Sequence, residues 1–356
     1  MPDLFPPTLP LAPAEESADT AVLKTRFVAD LEANEKLTGI FLCKAKELRL
    51  KKSGEPFLSL VLSDRTGDLD AKMWDNVEEV QDSFERDHFL KVRGTVLLFR
   101  NKPQLQIHKL RRVEESEIRL ADFLPTTRCD VDAMFAELLG YVRAVEQPPL
   151  RDLLLSLLED ETVAHEYKRA PAAKTLHHAF FGGLLEHVLS LCRMATLVVQ
   201  NYPRLDRDLL IAGVVLHDLG KIFELSYERS FSYTSEGQLL GHMVLVLELL
   251  HRKIAALPDF PRPLQVVLEH LIISHHGRYE FGSPKLPMFP EALVLHYLDD
   301  LDSKMQSMYA QLDRDRQVTA AFTDFNYSLD RPLLKLDRYL ATIPGPTVAA
   351  TDEETP

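Results

Sequence analysis

The chain has 356 residues, 46% of them hydrophobic, a net charge of −13 and three widely separated cysteines, Cys43, Cys129 and Cys192. That length suits two domains, and no apolar run reaches the roughly 18 residues a membrane span needs. Cysteines without a CxxC pair argue against a disulfide framework or a thiolate zinc site. A soluble, reducing, cytoplasmic setting without a membrane partner is expected. The charge is uneven: Lys36 to Arg112 holds 16 Lys+Arg against 11 Asp+Glu, and the remainder 25 against 43. One mildly basic module therefore sits in an acidic chain.

Residues 1–24 carry Pro2, Pro6, Pro7, Pro10, Pro13 and the Glu15-Glu16 pair, and read as a disordered leader rather than a signal peptide. Residues 25–118 read as a small β domain. Leu58, Leu60 and Leu62 alternate with Phe57, Ser59 and Val61, and Leu69, Ala71 and Met73 alternate with Asp70, Lys72 and Trp74. Period two with one apolar face predicts half-buried strands. Ser53-Gly54-Glu55-Pro56, Asp64-Arg65-Thr66-Gly67 and Asn101-Lys102-Pro103 punctuate them as turns. Residues 76–87 lack the alternation and are expected as a short polar helix or loop. Strands follow near Phe89–Phe99 and Gln104–Val113, and this set suits a small closed barrel.

From about Val131 the period becomes helical. Met134, Leu138, Leu139 and Val142 form one stripe, and Leu153, Leu154, Leu157 and Leu158 another. A helical connector over 119–150 and an all-α domain over 151–342 are expected, with a disordered tail over 343–356.

Eleven of the 13 histidines fall between His165 and His296. A lone histidine is usually satisfied by hydrogen bonds, which is the reading for His165, His251 and His270. The others have more telling contexts. His187 lies in Gly182-Gly183-Leu184-Leu185-Glu186-His187, and His217-Asp218 closes an apolar helix before Leu219-Gly220-Lys221. His242 follows Leu239-Leu240-Gly241, His275-His276 precedes Gly277, and Asp299 lies in His296-Tyr297-Leu298-Asp299-Asp300-Leu301-Asp302. Each stands where a helix would otherwise carry an apolar or neutral residue. A buried cluster of imidazoles and carboxylates needs a shared counter-charge, and a metal is the simplest.

This order resembles the HD phosphohydrolase superfamily, and the variant with His242 and His275-His276 resembles its two-metal members. The resemblance implies His187, His217, Asp218 and Asp299 as ligands of one divalent ion. Asp218 would bridge to a second held by His242, His275 and His276. Asp300 and Asp302 rival Asp299, which is preferred because it follows the apolar Tyr297-Leu298 and has Asp302 one turn later. Imidazole and carboxylate ligands suit Mn, Fe, Co, Ni or Zn, manganese being favoured by the resemblance. Two such ions about 3.5–4 Å apart can activate a water for in-line displacement at phosphorus. Asp218, Lys221 and His178 are the catalytic candidates, Lys221 as a partner for phosphate charge. Lys174, Arg278 and Lys285 are weaker substrate contacts.

The stretch from Gly54 to Asp75 resembles strands two and three of nucleic-acid-binding OB-folds, whose exposed face binds single strands. Phe57, Lys72 and Trp74 share that face, with Lys51 and Lys52 in the preceding turn. Trp74 either stacks a base or caps the barrel core. Lys44, Lys46, Arg49, Arg100 and Lys102 add charge at strand ends and loops.

An OB-fold followed by an HD domain resembles the YhaM family of 3′→5′ exoribonucleases. The likeness covers roughly residues 35–340, including Ala170-Pro171-Ala172-Ala173, His177-His178-Ala179, Ser274-His275-His276-Gly277 and Glu280-Phe281-Gly282-Ser283-Pro284. It implies a metal-dependent 3′→5′ exonuclease acting on single-stranded RNA or DNA, with 25–118 as the OB-fold domain and 151–342 as the HD domain. The rivals are a hydrolase of free nucleotides or cyclic dinucleotides with a regulatory barrel, and a non-catalytic nucleic-acid binder with a structural metal. Metal identity, RNA-versus-DNA preference and assembly as a homo-oligomer stay open.

Overall fold

The computed structural model describes residues 24–99, 102–174, 178–227, 231–315 and 320–341. The expected leader (all but Lys24), the expected tail, Arg100 and His177 lie outside the described residues. The described chain divides between Thr126 and Thr127 into two compact units.

The first unit is a closed barrel of β1 (Lys36–Leu50), β2 (Pro56–Asp64), β3 (Gly67–Met73), β4 (Phe89–Phe99) and β5 (Lys102–Val113), in the order β1-β2-β3-β5-β4. All pairs are antiparallel except β3 with β5. The alternation in the sequence is the alternation of the pleat: Leu58, Leu60, Leu62, Leu69, Ala71 and Met73 are all buried in the barrel core. Leu60 stands opposite Ala71, and Ser59 opposite Lys72, so the polar set faces outward. Residues 76–87 are irregular chain, and they are not polar throughout. Val77 and Phe84 are buried in the core, and Lys46 Nζ donates to the Gln81 and Phe84 carbonyls, each at 2.6 Å. Two buried apolar residues seven positions apart are too few to mark a strand or helix face, which is why the pattern reads as polar.

The second unit is helical. Its elements are α1 (Val131–Arg143), α2 (Pro148–Leu158), α3 (Glu161–Arg169), α4 (Gly183–Asn201), α5 (Arg207–Leu216), α6 (Lys221–Glu224), α7 (Ser235–Ala255), α8 (Arg262–Ser274), α9 (Pro290–Arg314) and α10 (Leu336–Leu340). Two ribbons interrupt the helices, β6 (Leu225–Ser226) with β7 (Ser232–Tyr233), and β8 (Phe322–Asn326) with β9 (Arg331–Leu334); their strands are too short to show a period. The segment 119–150, expected as a separate connector, is split. Phe123 packs edge-on against Phe89 in the barrel unit, ring centroids 4.9 Å apart. The buried Met134, Phe135, Leu138 and Val142 of α1 join the helical core.

α5 positions the site. Asp206 caps its start by accepting from the Leu209 amide at 3.0 Å, and every residue from Leu210 to Leu216 is buried. A helix apolar all round is a central one, and α5 packs against α4, α8 and α9. Its C-terminal end therefore delivers the next residues into the middle of the helical unit. Among the described residues, no helix is long and apolar enough to cross a membrane.

Leu60 and Leu154 are both fully buried, so truncating either to Ala is expected to cost about 2–5 kcal/mol. Lys52→Ala on the surface should stay within about 0.5 kcal/mol. Chemical denaturation of the three variants checks the ranking.

Candidate metal centre

His217 follows the last residue of α5, its amide still bonded to the Gly213 carbonyl at 2.9 Å. Asp218 follows it, and α6 starts at Lys221. The turn between them passes so close to α7 that a Cβ on Gly220 would lie 2.0 Å from the His242 carbonyl oxygen; only glycine fits. Gly241, at φ 73 and ψ 161, breaks α7 just before His242. The break frees the His242 amide, which donates to Glu224 Oε1 at 3.1 Å. His275 and His276 follow the last residue of α8, His187 lies in α4 and Asp299 in α9.

These seven side chains converge in two groups, His187, His217, Asp218 and Asp299 in one, His242, His275 and His276 in the other, the offered atoms within each group lying inside 4.8 Å of one another. Asp218 faces both. Its Oδ2 lies 3.4 Å from His217 Nε2 and 3.7 Å from His187 Nε2, while Oδ1 lies 3.5 Å from His242 Nε2 and 3.8 Å from His275 Nε2. Asp299 Oδ1 is 3.4 Å from His187 Nε2.

The far nitrogen of each ring is held. Nδ1 of His217, His275 and His276 donates to the carbonyls of Val214, Ile272 and Phe281 at 2.8, 2.6 and 2.8 Å. Nδ1 of His242 meets Glu224 Oε1 at 3.2 Å, and Nδ1 of His187 meets Asp302 Oδ2 at 2.8 Å. Such bonds fix the tautomer and aim Nε2 inward, the arrangement usual around metal-bound histidines. His217 Nε2 is buried without a hydrogen-bond partner among the described residues. A buried imidazole nitrogen left open amid carboxylate oxygens, with no thiolate nearby, fits a divalent ion.

The electrostatics agree. Burial alone would raise the Asp218 carboxyl, but the Lys221 ammonium and the His217 ring outweigh it and hold it well below the usual carboxylate range. Burial likewise opposes ionisation of Asp299, and the His187 ring bonded to it outweighs that effect. Burial pushes His275 and His276 down, which keeps both rings neutral, the form that binds metal.

The three carboxylates of the late helix separate by role. Asp299 faces the cluster. Asp300 pairs with Lys304 at 2.7 Å. Asp302 accepts from His187 on the side away from the cluster, and also from Ser190 Oγ and from His178 Nε2 at 2.9 Å. His178 is thus buried against Asp302, in a backbone conformation with φ 48. It does not line the cleft that opens from the cluster. The structure brings it to Asp302, the same carboxylate that holds His187 Nδ1. Lys221 Nζ donates to Asp218 Oδ2 at 2.6 Å and does line the cleft. Lys174 lies over the Tyr233 ring and Arg278 over the Phe281 ring; neither they nor Lys285 line it. His165, His251 and His270 stand apart, bonded to Arg169, Glu269 and the Met288 amide. Glu224 and Ser190, and His296, which lines the cleft and donates from Nδ1 to the His275 carbonyl at 2.9 Å, are not legible in the sequence: the Glu224–His242 pair spans 18 residues, the Ser190–Asp302 pair 112 and the His296–His275 pair 21.

On the barrel, Phe57 and Trp74 stack on each other, centroids 4.5 Å apart at 23°. Trp74 is 36% exposed, so it does not cap the core. Lys72 Nζ donates to Ser59 Oγ at 2.6 Å beside this pair. Lys51 pairs with Glu55 at 3.1 Å across the turn that carries the exposed Lys52. Lys44, Lys46 and Arg49 are paired with Asp68, Glu85 and Glu47, which tempers the basic character of the module.

A five-stranded OB barrel and a helical domain with this buried His/Asp constellation define a metal-dependent phosphohydrolase of the HD class joined to a nucleic-acid-binding fold. Profile matches agree: the OB-fold nucleic acid binding domain matches residues 44–113, and the HD domain residues 184–304. The chain is 38% identical over 305 residues to the 3′-5′ exoribonuclease YhaM of Geobacillus sp. (strain WCH70), covering 85% of this chain and 92% of that one. It is 39% identical over 285 residues to the 3′-5′ exoribonuclease YhaM of Bacillus subtilis (strain 168), covering 80% and 90%. The chain belongs to the YhaM family of 3′→5′ exoribonucleases.

Because Glu224 and Asp302 orient His242 and His187 from behind, Glu224→Ala and Asp302→Ala should each lower metal affinity about 10–100-fold. His165→Ala, at an exposed ring outside the cluster, should leave it unchanged. Chelator competition followed by elemental analysis checks both.

Proposed function

We propose that the protein removes 5′-mononucleotides from the 3′ end of single-stranded RNA in a metal-dependent reaction. The observation that carries this reading is Asp218, whose two oxygens face two separate ligand groups, in a chain of a 3′→5′ exoribonuclease family. Two divalent ions are inferred, manganese foremost. His187, His217, Asp218 and Asp299 would hold one, and His242, His275 and His276 the other, with Asp218 shared. When bound, such ions lower the pKa of a water and neutralise charge on a phosphodiester.

The chain's own residues do the rest. His178, Ser190 and Asp302 hold His187 in register, and Glu224 holds His242. Lys221 keeps Asp218 ionised and lines the cleft, where its ammonium can offset charge gathering on the phosphate. No separate protein nucleophile is required. The barrel holds the strand, with the Phe57–Trp74 stack, Lys72, Lys51 and Lys52 as the contact surface. One base stacked on an exposed aromatic is worth about 1–3 kcal/mol. Family membership favours an oligonucleotide substrate over free nucleotides or a purely structural metal.

A 5′-labelled single-stranded RNA incubated with the protein and Mn²⁺ should shorten stepwise from its 3′ end, and His217→Ala/Asp218→Ala should abolish shortening. Intact RNA with the wild type, or equal shortening by the double variant, overturns the reading. Trp74→Ala should weaken RNA binding by about tenfold or more, read by filter binding, while leaving metal content unchanged.

A further inference from the structure

The cleft of about 410 Å³ that reaches Asp218 and Asp299 continues past them along one face of α9 to the turn between β8 and β9. Its far end is lined by Ser303, Lys304 and Ser307 of α9 and by Ser328 and Leu329 of that turn. Ser303 and Ser307 follow Asp299 by one and two helical turns, about 6 Å and 12 Å along the axis. Phe281 and Leu329 are the apolar members of the lining.

The hydroxyls at this end have a defined polarity. The buried Asn326 fixes the turn: its Oδ1 accepts from the Ser328 and Leu329 amides at 3.0 and 3.1 Å. The same oxygen accepts from Ser328 Oγ at 2.7 Å, and Ser328 Oγ lies 2.8 Å from Ser307 Oγ. A serine hydroxyl has one proton to donate. Ser328 spends its proton on Asn326, so Ser307 donates to Ser328. The pair thus turns lone pairs, and no hydroxyl proton, toward the cleft.

Building on the exonuclease reading, we propose that this end of the cleft holds the terminal nucleoside, with the Ser307–Ser328 pair accepting a hydrogen bond from its 2′-hydroxyl. The 2′-hydroxyl is the group by which a protein tells RNA from DNA. A 2′-deoxy sugar has nothing to donate there, and a 2′-fluoro sugar offers only a further acceptor. Leu329 leaves apolar surface for the base.

The test uses 5′-labelled oligoribonucleotides that differ only in the last sugar: ribo, 2′-deoxy or 2′-fluoro. The wild type should favour the ribo end over both others by about two- to tenfold in kcat/KM, the net worth of one hydrogen bond at a solvent-accessible pair. Ser307→Ala should bring the ratios close to one, the loss falling on the ribo end. Unchanged thermal melting shows that the variant is folded. A 2′-fluoro end processed like ribo, or ratios unaltered in Ser307→Ala, overturns the proposal and leaves the exonuclease reading standing. Calorimetry of 5′-AMP against 2′-deoxy-5′-AMP with Mn²⁺ separates the two ideas. Preferential binding of 5′-AMP that Ser307→Ala removes supports the pocket even if no RNA is shortened; equal binding of the two by the wild type overturns it.

Discussion

A carboxylate ionised in a protein interior is costly unless opposite charge surrounds it, and the helical unit is organised around one. Asp218 is almost fully buried, flanked by Lys221 and by imidazoles brought from α4, α5, α7 and α8. None of these helices can shift without changing the surroundings of that charge. The apolar α5 pins its position, and the two glycines at 220 and 241 allow the close passage and the helix break that bring His242 to it. The same packing that stabilises the core thus sets the geometry of the donors.

Around the cluster lies a second layer that reacts with nothing but aims what does. Three ring nitrogens are anchored on backbone carbonyls, and two on carboxylates. Backbone anchors cost the sequence no particular residue, since a helix end always has free carbonyls. His217 and His275 exploit this: each follows the last residue of its helix and bonds the carbonyl three residues back. The carboxylate anchors are specific, and Asp302, with its three donors, is the most heavily committed of them.

The barrel solves a different problem. Its five strands close on themselves, which removes free edges and leaves one face of β2 and β3 to carry side chains not needed by the core. The Phe57–Trp74 stack stands on that face, preformed and partly exposed. Most of the nearby lysines and arginines are paired within the barrel, so stacking rather than net charge distinguishes this surface.

Much of this was legible in the chain before any coordinates. Period-two alternation in β2 and β3 and the helical stripes of α1 and α2 are local signals, because a side chain's direction follows from its own backbone. The ordered series His187, His217-Asp218, His242, His275-His276 and Asp299 stands out because a polar residue on a buried helix face must be satisfied there, and the resemblance to HD phosphohydrolases is what implies it as a ligand set. Only the tertiary structure could separate Asp299 from Asp300 and Asp302, since that depends on which way α9 is rotated against α4 and α5. It alone brought His178 to Asp302, found Glu224 and Ser190, buried Val77 and Phe84 in the barrel, and gave Ser307 and Ser328 a common hydrogen bond. Those contacts join residues far apart in the chain, and no local periodicity records them.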